Sequence, residues 1–326
     1  MSVGRAGQSG STVKRKSPRV GGARVAFAAA ASARKPGAAA IRARDEYSRL
    51  EFYELTVQKP AALIPLLRAI HGAEPTLLAE DFCGGAALSR AWMEAVPGAR
   101  AVAADLDRAC LAHARAAWKE ALKAQRGVSS RPRAAGALTL VRADVLGSPL
   151  LKDQPADVLF VGNFSIGEVH ERGALVAYLK RCHARLAPRR GVLVCDTYGG
   201  ETAFARGSVT RVHPGPAADP ALRIRYTWEQ RAADPLTGRV VNAIHFRTLR
   251  AGEVVQEITD AFVYRWRLWS VPELRDAMME AGFKRTEVFA QLIDAEDSEG
   301  RAYARPIEDA AEVDETFIVC VAGRTG

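Results

Sequence analysis

From residue 1 to residue 44 the chain contains no aspartate and no glutamate, yet it carries ten Lys or Arg there. Taking those ten from the formal net charge of +9 leaves −1 for the remainder. The basic balance, which would suggest nucleic acid if spread over the surface, therefore belongs to a tail, and the body is near neutral. An Arg-, Ala- and Ser-rich tail of this kind has little to bury and reads as a solvated, disordered leader. Organelle targeting by residues 1–44, or a contact with nucleic acid through this arm, stays open. Cysteine is sparse: Cys83, Cys110, Cys182, Cys195 and Cys320 are odd in number, and no pair has CxxC spacing. That argues against a disulfide framework or a cysteine-based zinc site, and reduced thiols in a cytoplasmic protein are the expectation. No window approaches the roughly 18 apolar residues of a membrane-spanning helix. No internal repeat is found.

What is present alternates. Short apolar runs at residues 77–79, 99–104, 138–142, 157–162 and 192–195 read as strands. Helical patterns at 86–96, 109–124 and 171–186 separate them, and another precedes them within 44–67. Nearly continuous apolar strands between helices predict a parallel, doubly wound sheet covered on both faces. After the fifth strand the pattern changes. Residues 222–268 are rich in β-branched and aromatic side chains, with turn signals at Asp234-Pro235 and Thr237-Gly238. They predict antiparallel hairpins, and residues of about 201–268 read as an inserted lid within a domain spanning 45–326. A helix at 271–281 and strands at 285–292 and 316–322 close the chain.

Polar residues stand at consecutive strand ends: Glu80, then Asp105, then Asp144, then Asn163. In open α/β sheets ligands bind beyond the carboxyl ends of the strands, where strand order reverses. Between the first strand and its helix lies EDFCGGAAL, residues 80–88. The GxGxxG pattern of a pyrophosphate-binding turn is missing from it. Asp105, 21 residues beyond Gly84, is placed to accept hydrogen bonds from ribose hydroxyls, which suits NAD and S-adenosylmethionine alike. Carboxylates beside the turn repel a pyrophosphate but tolerate a zwitterionic amino acid on a sulfonium. S-adenosylmethionine is the better fit.

The order of these features resembles the class I S-adenosylmethionine-dependent methyltransferases. It is most similar to a bacterial-type subgroup of uncharacterised members that shares YELTVQKP, EDFCGGAALSRAW, ADLD, GNFS, DTYGGETAF, YTWEQRAADPLTG and AFVYRWRLWSVPEL. These blocks run over residues 47–322 and leave out the tail. The resemblance implies a seven-stranded Rossmann-like sheet with an antiparallel last strand. It also implies cofactor contacts at Glu80, Phe82, Cys83, Gly84, Gly85, Asp105, Leu106, Asp144, Val145, Asn163 and Phe164. Two glycines usual in the turn are Phe82 and Ala86 here, and Ile166-Gly167-Glu168 stands where the subgroup carries aromatic residues.

Methyl transfer belongs near Asn163 and Ser165, with His170 as a candidate proton acceptor and surface placement as its rival reading. Without the two prolines of an Asn-Pro-Pro-aromatic run, amino-nitrogen methylation of adenine or glutamine is disfavoured. Tyr53, Tyr198, Arg265 and Trp266 are candidate substrate contacts, and core packing is the alternative for each. Cys83 reads as a small residue fitting a tight turn. The expected activity is methyl transfer to a small-molecule acceptor, by a monomer or homodimer. Its rivals are a nucleic-acid or protein methyltransferase using the tail, an NAD-dependent enzyme, and a non-catalytic nucleotide binder.

Overall fold

A computed structural model of the chain describes residues 46–126, 138–147 and 155–326. The basic tail lies outside the described residues. The first helix, α1 (Arg49–Thr56), starts at a capping box in which Ser48 and Glu51 satisfy each other's backbone N–H groups. The sequence predicts one helix through this region. The structure breaks it in two, because Pro60 cannot continue a helix and instead opens α2 (Pro60–His71) at its first position. The alternating body follows: β1 (Leu77–Asp81), α3 (Ala87–Ala95), β2 (Arg100–Asp105), α4 (Arg108–Arg126), β3 (Leu138–Arg142), β4 (Val158–Val161), α5 (Arg172–Ala184) and β5 (Val192–Gly200).

After β5 come β6 (Gly207–Pro214), β7 (Leu222–Asp234), β8 (Arg239–Arg250) and β9 (Glu253–Arg267). Then follow α6 (Val271–Ala281), β10 (Arg285–Ala290), the short β11 (Ala295–Glu296) and β12 (Ala302–Tyr303), and β13 (Thr316–Arg324). The main sheet has seven strands in the order β10-β13-β5-β4-β1-β2-β3. Only β13 runs against its neighbours, lying between β10 and β5. This is the mixed α/β fold the sequence predicts.

Two apolar layers cover the sheet. Leu78, Phe160 and Val194 face α2 and α3, with Leu66, Leu67 and Trp92 among the fully buried side chains. Leu77, Leu159 and Leu193 face the other way onto α5 and α6. Each such side chain contributes about 1.5–3 kcal/mol by burial. The strands read as unbroken apolar runs because both faces are used.

The strands β6 to β9 form a separate antiparallel sheet in sequential order. Its inner face carries Ile224, Tyr226, Ile244 and Phe246, which pack with Tyr47 and Phe52 of the α1 segment. Helix α1 therefore belongs to this sheet's apolar cluster, although 150 residues and more separate them in the chain. The sequence pattern misses β6, whose GSVTRVHP is an exposed edge strand with little apolar content. It also ends β5 too early: the strand runs on to Gly200, paired with Thr316 of β13.

Candidate functional site

Strand order reverses between β1 and β4, and the turns following β1, β2 and β4 meet at that point. The turn after β1 is built on left-handed residues. Phe82 and Ala86, the two positions where glycine is usual, both have positive φ, at 54° and 51°. A left-handed non-glycine residue costs roughly 1–2 kcal/mol, so the turn is held by its bonds. The Cys83 N–H donates to the Ala104 carbonyl at 3.0 Å, and the Gly84 N–H donates to Asp105 Oδ2 at 2.7 Å. Asp105 Oδ1 accepts the Asp107 N–H at 2.8 Å. One half-buried carboxylate thus ties the first turn to the second. Asp107 caps α4 through the Ala109 N–H, and Leu106 projects from the loop, 62% exposed. Gly84 has φ +52°, and open space lies where a side chain would start.

Gly85 is fixed by a different need. A Cβ there would lie 2.7 Å from Glu54 Oε1. Glu54 reaches across from α1, pairs with Arg90 of α3 and sits 3.0 Å from His113 Nε2 of α4. Burial opposes its ionisation, but the hydrogen bond from His113 and the charge of Arg90 outweigh it and hold the carboxyl below its usual range. Arg90 Nε also donates to the Gly85 carbonyl at 3.2 Å. Sequence reasoning misses all three residues.

Glu80 and Asp81 are neighbours that face opposite ways. Glu80 is buried and accepts from the backbone N–H and hydroxyl of Ser89 in the first turn of α3. Asp81 takes a two-pronged bond from Arg185, at 2.7 and 2.9 Å, and the Tyr178 hydroxyl at 2.8 Å. Burial pushes Glu80 up to about 7, against the bonds from Ser89. Its folded pKa lies above the unfolded one, so its stabilisation is complete below about pH 4 and is lost as pH rises through about 7. We expect the unfolding free energy to fall between pH 5 and 8, with Glu80 accounting for about 3 kcal/mol. Urea unfolding at pH 5, 6.5 and 8 checks this. Glu80→Gln should flatten the slope, and equal slopes in the two proteins would refute the assignment.

Asn163 and Phe164 follow β4 and are again both left-handed, with φ 55° and 62°. Their N–H groups donate to the two oxygens of Asp196, at 3.0 and 2.7 Å. Asp196 is reachable because β5 outruns β4, whose pairing stops at Val161 and Cys195. Ser165 opens a 3-10 turn (Ser165–Glu168) that packs on β9. A Cβ on Gly167 would lie 2.8 Å from Cβ of Trp266. The Trp266 indole N–H donates to Glu168 at 2.7 Å. His170 Nε2 donates to the Arg265 carbonyl at 2.6 Å.

Above these turns β5 and the β6 to β9 sheet present aromatic side chains. Phe164 meets Tyr198, Trp228 and Trp266 edge-on, with ring centroids 5.0, 6.4 and 6.1 Å away. Tyr264 stacks on Trp266 and shares a hydrogen bond with Tyr53. The Tyr198 hydroxyl lies 3.1 Å from Gln230 Oε1 and 3.3 Å from Asn242 Nδ2. A narrow crevice runs between Phe164, Thr197, Tyr198 and Trp266.

Arg265 does not join this group. Successive residues of a strand face opposite sides, so Trp266 is buried inside while Arg265 is exposed on the far face of β9. Val145 is likewise buried in the sheet's apolar core. Asp144 is exposed, and its Oδ1 accepts the Leu146 N–H in a local turn. Burial pushes the Cys83 thiol far up, which leaves it no nucleophile.

No family model matches the chain, and neither does any curated protein. Solved structures do match. DesVI of Streptomyces venezuelae superposes with a TM-score of 0.57 at 18% identity, over 84% of this chain and 95% of its own. An S-adenosylmethionine-dependent methyltransferase from Clostridium acetobutylicum gives 0.54 at 14% identity, over 84% and 96%. CalS10 of Micromonospora echinaspora, an amino pentose methyltransferase of calicheamicin biosynthesis solved with S-adenosylmethionine, gives 0.54 at 16%, over 84% and 95%. Nearly the whole length of each neighbour is spanned, and the chain has the fold of these S-adenosylmethionine-dependent methyltransferases.

Proposed function

We propose that the chain is an S-adenosylmethionine-dependent methyltransferase that acts on a small-molecule acceptor, within the subgroup marked by its EDFCG and NFS motifs. The observation that carries this reading is the ring of carboxylates on the turn after β1. Glu80 lies beneath it, Asp105 bonds to Gly84, and Glu54 presses on Gly85. A pyrophosphate would meet the Asp105 carboxylate there, with Glu80 behind it and Glu54 paired to Arg90. A zwitterion with a positive sulfur meets complementary charge, and the open space over Gly84 leaves room for it.

Residues 45–326 act as one domain, and the β6 to β9 sheet is its substrate lid. Bound S-adenosylmethionine supplies a methyl group already activated by the sulfonium. The chain's task is then to align the acceptor and keep water out. Asp105 would accept from the ribose hydroxyls, and Leu106 and Asp144 would flank the base. Asn163 and Phe164 would stand at the transfer point, with Phe164, Tyr198 and Trp266 closing the crevice over the acceptor. The neighbour CalS10, of the same fold, is an amino pentose methyltransferase, which supports a small-molecule acceptor.

Calorimetric titration of the full-length protein with S-adenosylmethionine and, separately, NAD tests this. Micromolar binding of the first and none of the second is expected. A folded protein that binds NAD and ignores S-adenosylmethionine would overturn the reading.

A further inference from the structure

Asp196 is a buried acid without a counter-charge. The groups that face it are the N–H groups of Asn163 and Phe164, Cys195 on its own strand, Cys320 of β13, Gln291 beyond β10 and Tyr53 of α1. All are neutral, and among the described residues no Lys, Arg or His figures in the electrostatics of this carboxyl. A buried carboxylate held by neutral donors alone is costly to keep ionised. The turn it holds is costly too, since two consecutive non-glycine residues are left-handed. Both features coincide where a β4 turn meets the lid.

Resting on the methyltransferase reading, we propose that Asp196 is the positioning residue of the transfer site. Its carboxylate fixes the turn that presents Asn163 and, once ionised, supplies a negative charge that favours a cationic sulfonium over a neutral thioether. Asp196 acts through the turn and through its field, and need not touch the acceptor. The site then holds the methyl-bearing cofactor more tightly than the spent one, which helps the product leave.

The test is calorimetry of full-length protein with S-adenosylmethionine and S-adenosylhomocysteine at pH 6, 7 and 8, each in two buffers of different protonation enthalpy. Burial pushes Asp196 up to about 7, so a cation should bind with proton release and about tenfold more tightly at pH 8 than at pH 6. The thioether should show much less of both. Asp196→Asn keeps one carbonyl acceptor but no charge, and should cut the preference for the sulfonium form about tenfold. Unchanged preference and proton release in Asp196→Asn would overturn the proposal. So would wild-type protein that binds both compounds with no proton release, whether or not the variant folds. Failure of the wild type to bind either compound would bring down the methyltransferase reading, and this proposal with it.

Discussion

Asp105→Ala is expected to weaken S-adenosylmethionine binding about 100-fold. The reason is that this carboxylate has two tasks. It accepts the Gly84 and Asp107 N–H groups, and so couples the turns after β1 and β2. In the proposed complex its remaining lone pairs accept from the ribose. Hydrogen bonds to a charged group contribute about 1.5–3 kcal/mol each, and losing the equivalent of one to two gives the stated factor. Asp105→Asn should fall between, because a single carbonyl oxygen can satisfy Gly84 but not both turns. The residue is half-buried at the carboxyl end of β2, and loss of its two backbone bonds should also lower the melting temperature by roughly 5 °C. Calorimetric titration of the two variants checks this, and alanine-variant affinity within threefold of wild type would remove Asp105 from the site.

The largest effect on stability should come from the neighbouring strand, β1. Asp81 is fully buried, Arg185 is 7% exposed at its side chain, and two bonds join them. Tyr178 adds a third donor to the carboxylate. Removing one partner leaves the other charged and unpaired in the core, which costs about 3–5 kcal/mol. Arg185→Ala should therefore lower the melting temperature by roughly 10 °C. Replacing both partners with apolar residues of similar size, Asp81→Leu with Arg185→Met, should recover much of that loss, because the penalty is the stranded charge. Differential scanning calorimetry distinguishes the cases. A single variant that melts within about 2 °C of wild type would mean water reaches the pair.

The fold was largely legible because its determinants are local. Runs such as VLFV and LVC declare buried strands, and Pro97-Gly98 and Gly282 declare helix ends. The acids at strand ends were legible for the same reason. What was hidden depends on side chains that meet over long separations. Glu54 gives no local sign that it will lie on Gly85, and Asp196 is visible in sequence only as an acid after an apolar run. Its role appears once β5 is seen to outrun β4. Arg265 was grouped with Trp266 as a candidate substrate contact, but adjacency in sequence is opposition in a strand, and Arg265 lies exposed on the other face. The β6 strand escaped because an edge strand open to solvent needs no apolar alternation.

The shared apolar cluster of α1 and the lid has a consequence for how the protein is made. Phe52 leaves the ribosome early, but Phe246 and Ala261, which cover it, are synthesised about 200 residues later. At ordinary translation rates that is a delay of roughly 10–40 s. Throughout that interval the apolar face of the first helix has no surface to fold against, although Glu54 of that helix can already reach Arg90 and His113. The nascent chain must carry a greasy N-terminal segment exposed while the sheet beneath the future active site assembles. The lid's arrival is then the event that completes the chain's beginning.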